Sequence, residues 1–194
     1  MAKIQFIKDL NPEIYLMLTD MAKMRLSAMS TEIDLQKIEM IEHPVPDDYI
    51  YGSTITLLQI AAKDLRFTVK VHFNISDVLL IPPIKKMKNR SPERELTAAL
   101  DFFQEYCNLL GGAISTQIQN EGIVAGLSLP LSSSGFDEYI DSERLSDRRW
   151  NEYFQVFYPG FKFVLTSHIE LSEVNLLSKF KYIPETDDLD IEIL

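Results

Sequence analysis

Glu105 and Asn108 are a carboxylate and a carboxamide three residues apart, about one helical turn. Such a pair can act as a unit. The carboxylate anchors a cationic group on a partner, while the carboxamide, which both donates and accepts, holds and orients a water molecule. An ordinary solvated helix face also carries Glu and Asn, and on composition alone that reading accounts for the pair better than catalysis does.

Other chemistry finds less support. His43, His72 and His168 are far apart in sequence, and none has an Asp, Glu or Cys at ligand spacing on a clear element, so no metal site is expected. The phosphate-cradling loops G-x-x-x-x-G-K-[ST] and G-x-G-x-x-G and the nucleophile elbow G-x-S-x-G do not occur. Cys107 is the only cysteine and lies on an apolar stripe, where it reads as a buried spectator. The basic run Lys85, Lys86, Lys88, Arg90 could steer an acidic partner, but reads first as a solvated loop.

The pair sits in SPERELTAALDFFQEYCNLLGG, Ser91 to Gly112, which has the signals of a helix. Ser91 can cap it, Pro92 costs no hydrogen bond in the first turn, Glu93 suits the positive end, and Gly111-Gly112 suits a stop. Leu96, Leu100, Phe103, Cys107, Leu110 and Ile114 fall on one side, predicting burial. Asp101, Glu105, Asn108 and Gly112 fall on the other, and Gly112 would let a second backbone come close.

At 194 residues and 46% hydrophobic content, the chain is expected to form a single domain, 1–194, with an aromatic-rich insertion near 136–158. A net charge of −10 argues against nucleic acid, whose binding needs concentrated Lys and Arg. The N-terminal apolar run is broken by Lys8, Asp9, Asn11 and Glu13, so neither a signal peptide nor a membrane span is expected, and the protein is expected to be cytoplasmic.

Asn11-Pro12-Glu13 opens a second helix in which Ile14, Met17, Leu18, Met21, Met24 and Ala28 line one face up to about Met29. Strands are expected at Ile33–Ile41, over the run YIYGSTITLLQI (Tyr49–Ile60) and at Leu65–Phe73, the last alternating so regularly that it reads as half-solvated, in a hairpin with the strand before it. GIVAGLSLPL reads as a strand ended by a Ser132–Gly135 turn. Asp147–Phe157, with Trp150, Tyr153, Phe154 and Phe157 at i, i+3, i+4 and i+7, reads as a short aromatic helix, and FKFVLTSHI, LLSKFKYI and LDIEIL as closing strands. The fold class is α+β, an antiparallel sheet packed against two long helices.

In these residues the chain resembles the CheC/CheX/FliY family of chemotaxis phosphatases, most closely the CheX-like members. The shared pattern is E-x-x-N followed by small residues and a glycine, here Glu105-Tyr106-Cys107-Asn108 then Leu109-Leu110-Gly111-Gly112, with a downstream strand closing on Pro130. The resemblance runs loosely over most of the chain, but Ala113 and Ile114 depart from the residues that usually follow the motif glycine, and there is no second E-x-x-N helix. It implies a sheet with two long helices, a CheY-like receiver domain as partner, and the homodimer typical of CheX-like members. It further implies that Glu105 grips the receiver's lysine and that Asn108 positions water in line with the phosphorus of the aspartyl-phosphate. The acyl phosphate and its Mg²⁺ belong to the receiver, so no cofactor of its own is implied.

Three readings follow: a phosphatase of a phosphorylated response regulator, a non-catalytic binding or regulatory module of the same fold, and a structural homodimer. The first requires Glu105 and Asn108 to be exposed.

Overall fold

A computed structural model describes residues 4–43, 51–137 and 148–185. Among them, eight strands form one sheet. β1 (Gln5–Phe6), β2 (Glu39–Glu42), β3 (Thr54–Ala61), β4 (Leu65–Phe73), β5 (Gly126–Leu127), β6 (Leu131–Ser134), β7 (Arg149–Tyr158) and β8 (Phe161–Leu171) follow the order β1-β7-β8-β4-β3-β5, with β2 also on β7 and β6 also on β3. Every pairing is antiparallel except β1 with β7. The helices are α1 (Ile7–Leu10), α2 (Pro12–Ala28), α3 (Ile75–Val78), α4 (Pro82–Lys85) and α5 (Pro92–Asn120). The architecture is the expected α+β, with the two long helices α2 and α5 packed on the sheet.

The strands turn one face to the helices. Cross-strand register places Leu58, Val69 and Ser167 in one row and Phe67, Ile169 and Trp150 in another, so the alternation of β4 becomes the core layer. Phe103 of α5 lies among the rings of Phe73 at 4.6 Å, Phe163 at 5.1 Å and Phe102 at 5.3 Å. The Tyr106 hydroxyl donates to the Ala22 carbonyl at 3.1 Å, tying α5 to α2 inside the core. Cys107 is fully buried, and burial pushes its thiol up to about 12, so it carries no thiolate.

Four expectations change. The central helix does not stop at Gly111-Gly112 but continues to Asn120, where Gly122 at φ +78° ends it. A Cβ on Gly111 would lie 2.5 Å from the Leu58 Cδ2, so this glycine serves close helix–sheet packing. Leu96, expected in the buried stripe, is exposed. Asp147–Phe157 is not a helix: residues 149–158 form β7, which is paired on both sides.

The outer face of β4 is not half-solvated, because Thr68, Lys70 and His72 are all buried. Tyr51 is part of what covers them, with its ring 5.1 Å from His72 and 5.8 Å from Tyr153.

Smaller differences are that 33–41 holds a 3-10 turn, Leu35–Lys37, before β2. The Ser132–Gly135 turn is mostly strand β6. LLSKFKYI is a 3-10 turn and coil, and LDIEIL lies outside the described residues, as do 138–147 of the expected insertion.

Candidate functional site

α5 is capped by Ser91, whose side chain accepts from the Arg94 N–H, and Pro92 occupies its first turn. Its apolar stripe fixes its rotation on the sheet: Phe103, Tyr106, Cys107, Leu110 and Ile114 are fully buried. The same rotation turns Asp101, Glu105 and Asn108 outward, and all three are exposed. Their side chains make no hydrogen bond or ion pair among the described residues. A Cβ added to Gly112, one turn beyond Asn108, would meet nothing within 4 Å. The structure therefore leaves both expected site residues, Glu105 and Asn108, on one open face at Cβ separations of about 5–6 Å.

The strand segment after α5 runs back alongside it. Leu127 Cδ2 approaches Gly111, 3.5 Å from a Cβ built there, and the Gln104 side chain donates through Nε2 to the Ser132 Oγ at 3.0 Å. The Ser132 hydroxyl in turn lies 3.0 Å from the Thr56 hydroxyl on β3, whose Oγ1 is buried. Between these two contacts the strand carries an extra residue. Ile60 pairs with Leu127 and Leu57 with Leu131, so Leu58 and Gln59 face Ser128, Leu129 and Pro130, two residues against three. This is a β-bulge, closed on one side by Ser128 N–H donating to the Gln59 carbonyl at 2.8 Å. Pro130, the proline of the sequence pattern, sits in it. Leu129 is forced out of the ladder and is 81% exposed.

Sequence reasoning missed the bulge and the Gln104–Ser132–Thr56 chain. Pro130 within an apolar run was the available signal, since proline in a strand marks an edge or a bulge.

The three histidines, remote in sequence, do approach one another on the outer sheet face. The His43 ring is 5.4 Å from Tyr51, which lies on His72, and His168 pairs with Thr68, four residues before His72 on the same face of β4. Burial, with Lys70 adding to it, holds both His72 and His168 well below the usual imidazole range, His72 at about 3. No group of three or more His, Cys, Asp or Glu side chains among the described residues could hold a metal ion. No helix among them is long and apolar enough to cross a membrane.

Neither a protein-family model nor a curated protein matches the sequence. Solved structures do match the fold. A chain of the CheX–CheY–BeF3–Mg²⁺ complex from Borrelia burgdorferi is 16% identical, with 82% of this chain and 97% of that one covered at a TM-score of 0.58. The chemotaxis protein CheX from Desulfovibrio desulfuricans gives 12% identity, 81% and 99% coverage and a TM-score of 0.56. A CheC-like superfamily protein from Shewanella gives 15%, 82% and 99%, and 0.55. At these identities the likeness is one of fold: the chain has the CheX/CheC-like architecture over most of its length.

Proposed function

We propose that the protein hydrolyses the aspartyl-phosphate of a CheY-like receiver domain. The observation that carries this reading is that Glu105 and Asn108 stand together on an open helix face, with no partner among the described residues, in a chain of CheX-like fold. One structure of that fold is a CheX–CheY–BeF3–Mg²⁺ complex, which supports a receiver as the kind of partner.

Glu105 anchors the receiver through a cationic side chain. The Asn108 carboxamide accepts from a water molecule and turns its oxygen toward the phosphorus. The new P–O bond forms from that water, the P–O bond to the aspartyl carboxylate breaks, and inorganic phosphate and a free carboxylate result. Phosphoryl transfer needs little covalent help, so positioning supplies most of the acceleration.

The test is the dephosphorylation rate of phosphorylated receivers from the source genome with the intact protein, Asn108→Ala and Glu105→Ala. Acceleration that drops by about 100-fold in Asn108→Ala supports the reading. An equal rate with and without the protein, for every receiver, overturns it and leaves a non-catalytic binding module.

A further inference from the structure

We propose that the bulged sheet edge carrying Leu127 and Leu129 is the apolar half of the surface that seats the receiver domain, the polar half being the Asp101–Glu105–Asn108 row. This rests on the function proposed above and adds where the partner lies.

Size comes first. A stable protein–protein contact covers about 800 Å² of each partner, over about 20–30 residues. One helix face with three polar side chains supplies only a fraction of that area. A domain that reaches Asn108 must also cover what borders it.

Geometry chooses the border. Leu127 is level with Gly111 and Ser132 with Gln104, so Leu129 and Pro130, between them, lie at about the height of Asn108 along α5. Leu129 is 81% exposed and Leu127 43%, and Val124, where this segment leaves the helix, is 90% exposed. Three large apolar side chains in six residues, beside a row of polar ones with no partner among the described residues, give an apolar patch with a polar margin.

The relation of strip to helix is also fixed in advance. The Gln104–Ser132–Thr56 hydrogen bonds and the Leu127–Gly111 contact hold them together, so little order is lost on binding.

The occupant follows from the form of the edge. β5 and β6 pair with β3 alone among the described strands, so they form an edge of the described sheet. The bulge breaks the ladder there, and Pro130 has no N–H to offer, so sheet extension by a second copy is obstructed. Side-chain docking of a folded domain is not. The carboxylates of Asp101 and Glu105 ask that domain for cationic groups, in keeping with a receiver that presents a lysine beside its phosphorylated aspartate.

The experiment uses the full chain with receiver domains from the source genome, loaded with Mg²⁺ and beryllofluoride to read the Kd and phosphorylated to read KM and kcat. Leu129→Ser is the main variant, because an exposed side chain can be changed without disturbing the core. It is expected to weaken the Kd and raise the KM for the phosphorylated receiver about tenfold, with kcat unchanged. Asn108→Ala is expected to lose chiefly kcat, the reverse of the Leu129→Ser pattern. If the intact protein binds and dephosphorylates a receiver but Leu129→Ser does so equally well, the docking surface is wrong and the phosphatase stands. If sedimentation shows a dimer that Leu129→Ser converts to monomers, a second copy covers the strip and the proposal falls. If no receiver binds the intact protein, both readings fall together.

Discussion

Gly111 and Leu58 are in such close contact that a single methyl group does not fit between them: a Cβ on Gly111 would lie 2.5 Å from the Leu58 Cδ2. Gly112, the next residue, faces open space. The two adjacent glycines should therefore respond oppositely to alanine. At Gly112 the substitution relieves the entropic cost of glycine in a helix and should stabilise by about 0.5–1 kcal/mol. At Gly111 the same gain is outweighed by overpacking against a fully buried leucine, which costs about 1–3 kcal/mol, so a net loss is expected. Urea unfolding of the two variants checks this, and a stabilised Gly111→Ala would show that Leu58 has room to turn away.

These glycines also show what the sequence hides. A Gly-Gly pair after an apolar stripe is a fair stop signal, and nothing local distinguishes a helix end from a place where a strand presses on the helix. The start was legible because Ser91 and Pro92 act within one turn. Residues 149–158 were misread for a related reason. β7 is buried on both faces, with Trp150, Phe154 and Val156 toward the helices and Tyr153 toward the outer layer, and a strand buried on both sides loses the period-two pattern that would identify it. The outward position of Glu105 and Asn108 was legible because a helix face follows from spacing alone. Leu129 was not, since a bulge exists only relative to the partner strand.

The hydrogen bond from Gln104 to Ser132 links the motif helix to the bulged edge and passes on to Thr56. Its removal should cost about 1 kcal/mol, with the buried Thr56 hydroxyl losing its described partner in Ser132→Ala. Gln104→Ala and Ser132→Ala should be less destabilising together than the sum of the two. A double-mutant cycle by denaturant unfolding measures that coupling, and strict additivity would mean that the contact holds nothing in place.

Acid should unfold the protein through its outer sheet face. His72 is held at about 3 by burial first and by Lys70 and His43 next, and His168 is lowered for the same leading reason. A histidine whose folded pKa lies below its ordinary 6.5 contributes stability that is fully present above pH 6.5 and is lost as pH falls from there toward 3. Stability measured from pH 7.5 to pH 5 should fall more steeply in the intact protein than in His72→Gln, which has no imidazole to protonate. Parallel curves would show that His72 takes up its proton without opening the fold.

Glu152 should act in the opposite sense. It lies on the helix-facing side of β7, 2% exposed, with its Oε1 accepting from the Lys8 N–H at 3.0 Å. Burial pushes its carboxyl up to about 7, with Glu42 and Asp9 adding to the rise, while the Lys8 N–H and the Lys8 charge oppose it. A carboxyl whose folded pKa is raised above its ordinary 4.5 binds a proton in the fold that the unfolded chain has already released. Its contribution to stability is therefore greatest below pH 4.5 and declines as pH rises to about 7. Across the strand pair, Ser167 offers a buried hydroxyl with no hydrogen-bond partner among the described residues. Glu152→Gln keeps an acceptor for the Lys8 N–H, removes the buried charge and brings a donor near that hydroxyl. The variant is expected to be more stable than the intact protein at pH 8, with the difference shrinking steadily toward pH 5. Thermal unfolding at a series of pH values reads this directly, and a constant difference across the series would mean that Glu152 titrates alike in the folded and unfolded chain.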